Sequence, residues 1–157
     1  MKRITIGAVL FAVLVLSSCD MNVVFAPLES GLSVSRVIYG DTLEMSNGEI
    51  VRLIGISAPG NAAAEFARNK VEGRTVLLEA YGTNRDSYGR LRRHVWVQRP
   101  QNQEELYCIS TYKLNTLLIS YGHARVFIDG PIRADVREVF ESAEWRFDHG
   151  FPPLRRQ

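Results

Sequence analysis

The chain has little cysteine, little lysine, no long apolar run and almost no net charge. Its 157 residues hold two cysteines, Cys19 and Cys108. Two cysteines cannot make a disulfide framework once one of them is lipidated, and no CxxC, HExxH or comparable Cys/His spacing suggests a zinc site. Cys108 lies in the apolar run Leu106-Tyr107-Cys108-Ile109 and reads as a buried, inert thiol. The apolar run at residues 4–16 is too short for an ordinary membrane-spanning helix. Beyond Lys2, lysine occurs only at Lys70 and Lys113; arginine supplies the remaining basic side chains. Arginine suits bidentate phosphate contacts, although codon bias alone produces the same skew. No internal repeat is present.

What is there begins with a processing signal. Lys2 and Arg3 precede the apolar run, and Leu16-Ser17-Ser18-Cys19 closes it. The pattern fits a secretory signal. Its end resembles the bacterial lipobox, which implies cleavage before Cys19 and lipidation of that residue. Asp20 resembles an inner-membrane retention signal. The expectation is an exported domain, lipid-anchored to the inner membrane and facing the periplasm. Attached acyl chains would hold it at the membrane surface. Loss of Lys2 and Arg3 leaves 17 basic residues against 17 acidic ones. A neutral domain lacks the net basic footprint usual in nucleic-acid binders. Yet Arg85, Arg90, Arg92, Arg93, His94 and Arg99 crowd one segment. They form either a solvated strand face or a phosphate-facing patch.

The division expected is a signal at 1–19, a tether at 20–31, one domain at 32–151 and a tail at 152–157. That domain is large enough for a real core. Val34, Val37 and Ile38 lead to a turn at Gly40-Asp41. Thr42-Leu43-Glu44-Met45, a Ser46-Asn47-Gly48 turn and residues 50–54 complete a meander. Asn61 is positioned to cap a helix over residues 62–72, which Gly73 ends. Strands follow at 75–78 and 91–97, then a polar insertion at 100–105. Helices are predicted at 112–121 and 131–147, with Pro131 in the first turn and Gly150 as the C-terminal cap. Five strands and about three helices predict an α+β fold: a five-stranded OB-type barrel with helical cover. Fold alone does not establish function.

The chemistry is concentrated in Tyr39-Gly40-Asp41-Thr42, Arg52-Leu53-Ile54-Gly55-Ile56-Ser57-Ala58-Pro59 and Arg85-Asp86-Ser87-Tyr88-Gly89-Arg90. An aspartate can hold a hard cation, and two guanidinium forks can clamp a phosphodiester. With Leu114-Asn115, Leu118, Gly122, Ala124 and Val126, these stretches resemble the staphylococcal nuclease (thermonuclease) family in order and over nearly the whole domain. The resemblance implies a calcium ion and two arginines acting on DNA or RNA. Asp41 falls on a calcium-binding aspartate, Arg52 and Arg90 on the two phosphate-binding arginines, and Tyr88 on a tyrosine beside the nucleotide.

Two departures weaken that picture. The family usually has an Asp where Ser57 stands and a Glu, thought to activate water, where Gly60 stands. Asp41 with the Ser57 hydroxyl makes a weak cage for a cation that wants roughly 6–8 oxygens. The loop before the first helix is also shortened, and after Ala124 only Phe127 keeps an aromatic, followed by Ile128 and Gly130. Glu65 is a candidate substitute base, against the plainer reading of a solvated helix face. His94 is another, against a barrel histidine with a structural hydrogen bond. Two functions follow. One is a membrane-anchored phosphodiester hydrolase with weakened or altered activity. The other is a catalytically silent OB-fold module that binds nucleic acid, a phosphate ligand or a protein partner.

Overall fold

The computed structural model describes residues 28–98 and 111–153. Cys19, Cys108, Arg99, the insertion at 100–105 and residues 154–157 lie outside the described residues. Eight strands and three helices occur in the order β1 (Leu28–Tyr39), β2 (Thr42–Met45), β3 (Ile50–Leu53), β4 (Ile56–Ser57), α1 (Asn61–Val71), β5 (Thr75–Arg85), β6 (Leu91–Gln98), β7 (Thr111–Lys113), α2 (Leu114–Ser120), β8 (Arg125–Val126) and α3 (Ala134–Asp148).

The main sheet runs β3-β2-β1-β5-β6-β7, and β3 also pairs with β6. That extra pairing closes a five-strand ring, as the OB-type expectation requires. One edge of β6 is shared. Its first part pairs with β3 at Leu91 to Arg93, and its last part with β7 at Trp96 to Gln98. The strands alternate because one face is buried and the other is not. Val34, Val37, Leu43, Val51, Leu53, Val76, Leu78, Val95 and Val97 fill the core, joined by Ala67 and Val71 from α1 and Leu114 and Leu118 from α2. Buried Asn115 ties these layers together: its Nδ2 donates to Ile54 O at 2.9 Å, and its Oδ1 accepts from Val95 N at 3.2 Å.

Several boundaries differ from the sequence reading for identifiable reasons. β1 starts at Leu28, inside the stretch expected as a tether. Gly31 takes φ 91° there, and the β1–β5 register shifts between Glu29 and Leu32. The turn-forming composition is a bulge, which tolerates glycine at positive φ. β5 continues to Arg85 because its polar second half is an arm with its own register shift against β6. Residues 111–113 pair with β6 before α2 starts at Leu114. Asn61 is the first residue of α1, preceded by Gly60 at φ 98° with no side-chain cap. α3 starts at Ala134, so Pro131 lies in the approach to the helix.

His94 faces α3, not the chemistry. It is fully buried, with its ring 6.0 Å from that of Phe140 in an edge-on contact. Among the described residues neither ring nitrogen has a hydrogen-bond partner, in place of the structural hydrogen bond expected of it. Burial, helped by the charges of Lys113 and Arg133 against those of Glu79 and Asp135, pushes its pKa from 6.5 down to about 4. The unfolded chain therefore takes up the proton first. Stability attached to neutral His94 is complete above pH 6.5 and is lost as the pH falls through about 4. The expected loss is about 3 kcal/mol over that window. Urea denaturation at stepped pH checks it, and the His94→Phe variant should lose this part of the slope.

Candidate phosphate-binding site

The site begins at a tight turn. Gly40 sits between β1 and β2, where an added Cβ would lie 2.6 Å from Ala63 Cβ and 2.8 Å from Ala58 O. The close approach of α1 and the loop before it requires glycine there. Asp41 follows and is nearly buried. Its Oδ2 accepts from Ala58 N at 2.7 Å and lies 3.0 Å from Arg52 Nη1, while its Oδ1 accepts from the Thr42 hydroxyl at 2.9 Å. Arg52 Nη1 also reaches Leu53 O at 3.3 Å. The structure thus brings Asp41 and Arg52 together, as an ion pair.

Arg90 is held separately. Its Nε donates to Asp86 Oδ2 at 2.7 Å, and the backbone N–H groups of Tyr88 and Arg90 both donate to Asp86 Oδ1 at 3.0 Å. Burial alone would raise the Asp86 carboxyl. The Arg90 N–H, the Arg90 guanidinium and the Tyr88 N–H hold it below the ordinary range instead. Asp86 therefore organises the whole turn. Tyr88 is 83% exposed, with the Arg90 guanidinium 5.2 Å from its ring centre. Arg85 braces the same turn, donating to Gly89 O at 2.6 Å and to both oxygens of Glu49 at 2.9 Å.

The ring closure brings the backbones of the two arginines near each other. Val51 opposes Leu91 and Arg52 opposes Arg92 in the parallel pairing of β3 with β6. Arg90 stands two residues before Arg92. Strand spacing and rise then put the Cα atoms of Arg52 and Arg90 roughly 8 Å apart. Among the described residues, the hydrogen bonds and ion pairs of the Arg52 side chain use only Nη1 and those of the Arg90 side chain only Nε. Each keeps donors for a ligand while a carboxylate fixes its aim.

The family model of staphylococcal nuclease homologues matches residues 41–146, more than half of the chain. The chain belongs to the staphylococcal nuclease family. A curated thermonuclease of Staphylococcus hyicus is 28% identical over 131 residues, covering 68% of this chain and 78% of that protein.

Within this nuclease-family domain, Ser57 is half-buried on β4, opposite Arg125 and directly before the Ala58 N–H that binds Asp41. Gly60 is exposed at the start of α1. Glu65 is exposed on α1, and among the described residues nothing joins it to Asp41. The calcium implied by the resemblance therefore has one carboxylate, already holding Arg52, Thr42 and Ala58, and one neutral hydroxyl. Among the described residues no three His, Cys, Asp or Glu side chains gather as a metal site. This donor set does not fit a cage of roughly 6–8 oxygens.

Among the described residues, the rest of the basic segment is not a free patch. Arg92 is buried 2.9 Å from Asp129, and Arg93 is buried 2.7 Å from Glu29. A cavity of about 520 Å³ opens between β6, β7, α2 and α3, lined in part by Glu79, Trp96, Lys113, Arg133 and Phe140. It lies away from the arginines, and its charges face one another: Lys113 is 3.4 Å from Glu79, and Arg133 is 2.8 Å from Asp135. The cavity has shape without phosphate chemistry, so the arginine site is the stronger candidate. Asp86 anchors Arg90 without having stood out in the sequence, although an Asp opening a short turn before Tyr88-Gly89 is an Asx-turn signal.

Proposed function

We propose that this domain binds the phosphodiester backbone of DNA or RNA through Arg52 and Arg90 and hydrolyses it weakly. The observation that carries the reading is two guanidinium groups, one on β3 and one directly before its partner β6, each held by its own carboxylate and each with donors to spare. Such groups neutralise charge on phosphoryl oxygens, and that charge grows as a water attacks. Ser57 and Gly60 supply no general base, which typically lowers the rate by about 10²–10⁴. Water attacks with little help, and Asp41 serves mainly to hold Arg52. A catalytically silent binding module is the second reading, favoured by the engagement of both Asp41 oxygens.

The lipobox-like end of the signal supports export and anchoring through Cys19 to the inner membrane, facing the periplasm. Among the described residues no helix is long and apolar enough to cross a membrane.

Salt-dependent titration of labelled oligonucleotides tests the binding. Arg90→Ala should weaken binding of every sequence and reduce the salt slope by about 1. An unchanged slope removes Arg90 from the phosphate contact. Cleavage assays with Ca²⁺, Mg²⁺ and Mn²⁺ separate slow hydrolysis from none.

A further inference from the structure

We propose that Tyr39 is a nucleobase-stacking residue and that it restricts the ligand of this domain to single-stranded nucleic acid. This deepens the phosphate-binding reading and rests on it.

A bulge sets the direction of Tyr39. Val37 opposes Leu43 in the core, and the next partners are Tyr39 and Thr42, with the register shifting between them. The extra residue turns Tyr39 onto the face opposite to Val37. Cα partners on neighbouring strands project to the same face. Tyr39 opposes Thr42, Thr42 opposes Arg52, and Arg52 opposes Arg92. One row of side chains therefore crosses β1, β2, β3 and β6. Two strand spacings separate Tyr39 from Arg52, about 10 Å between Cα atoms.

Tyr39 is 59% exposed, and among the described residues its side chain has no hydrogen bond or ring contact. Its mount is firm, because Gly40 is wedged against Ala58 and Ala63. A single exposed tyrosine is ordinary on any surface. One rigidly held in line with a phosphate-binding arginine is a stacking platform. Tyr88 lies on the other flank beside Arg90, so the two rings bracket the arginine pair. Bases in a duplex are already stacked and paired, whereas a single strand offers open faces to both rings.

The full chain in detergent solution is titrated with a labelled single-stranded oligonucleotide, its duplex and an abasic sugar-phosphate oligomer. Tyr39→Ala should weaken single-strand binding by roughly 5- to 100-fold, from the usual worth of one stacked base. Abasic affinity and the salt slope should not move, and Tyr39→Trp should bind as the parent does. Parent-like single-strand binding by Tyr39→Ala, with binding lost in Arg90→Ala, overturns the stacking role and leaves the phosphate reading standing. An equal loss on the abasic oligomer also overturns it. Parent affinity for duplex equal to that for single strand overturns the restriction. A parent that binds none of the three overturns both readings.

Discussion

Asp41→Ala is expected to lower the free energy of unfolding by about 3–5 kcal/mol, the usual cost of stranding one partner of a buried ion pair. Arg52 is 12% exposed at its side chain and would lose the carboxylate 3.0 Å away. The Ala58 N–H and the Thr42 hydroxyl would lose their acceptor in the same step. Asp41→Asn keeps an acceptor for these donors and should cost less. Urea denaturation measures both, and an unchanged m-value would show that the folded and unfolded states keep their compactness. A loss below about 1 kcal/mol would mean that the pair is no more than a surface contact. A dead Asp41→Ala protein therefore says little about metal binding unless its fold is measured alongside. Arg90→Ala is the cleaner probe of function, because Asp86 keeps two backbone N–H donors without it.

The Ser57→Asp, Gly60→Glu double variant is expected to gain divalent-cation-dependent cleavage of DNA or RNA by about 10²–10⁴ over the parent, the usual worth of a positioned base. An aspartate at 57 would stand directly before the amide that grips Asp41, giving that corner a second carboxylate. The glutamate is harder to accommodate. Nothing lies within 4 Å of a Cβ built at Gly60, but its φ of 98° is a conformation that side chains disfavour. With ψ at 160° this is a region used essentially by glycine alone, so the strain costs about 1–3 kcal/mol or shifts the loop. Ser57→Asp alone should therefore gain cation affinity without the full rate. Assays with single-stranded DNA and RNA in Ca²⁺, Mg²⁺ and Mn²⁺ decide the matter. No gain in either variant would show that the arginines are set for holding a backbone, not for breaking it.

The barrel was legible because alternation along the strands is a local signal: Val37, Leu43, Val51 and Val95 announce a buried face by spacing alone. The closure of β3 on β6 was not, since nothing near either strand encodes a partner so distant in the chain. The start of β1 was misread because Pro27, Ser30 and Gly31 favour turns, while the sheet uses Gly31 as a bulge. Asp41, Arg52 and Arg90 stood out by residue type and motif, but their partners did not. The pairing of Asp41 with Arg52 depends on a hairpin register, and that of Arg90 with Asp86 on a turn geometry. His94 stood out as a titratable group, and only the packing of α3 shows that it belongs to the core. Tyr39 carried no periodic signal, because a bulge decides which way it faces.

The parallel ladder of β3 with β6 has a consequence for assembly. Arg52 lies on β3 and Arg90 directly before β6, the two strands whose meeting shuts the ring, and that contact has high sequence separation. Long-range pairings carry the greatest loop-closure entropy. The arrangement of Arg52 and Arg90 therefore does not exist in any partly folded form that leaves this seam open. If the proposed phosphate binding holds, occupancy would act as a latch on the seam, raising the free energy of opening by RT ln(1 + [L]/Kd). Amide hydrogen exchange at Ile54, whose N–H donates to Arg93 O at 3.0 Å across that seam, is the place where the latch would register.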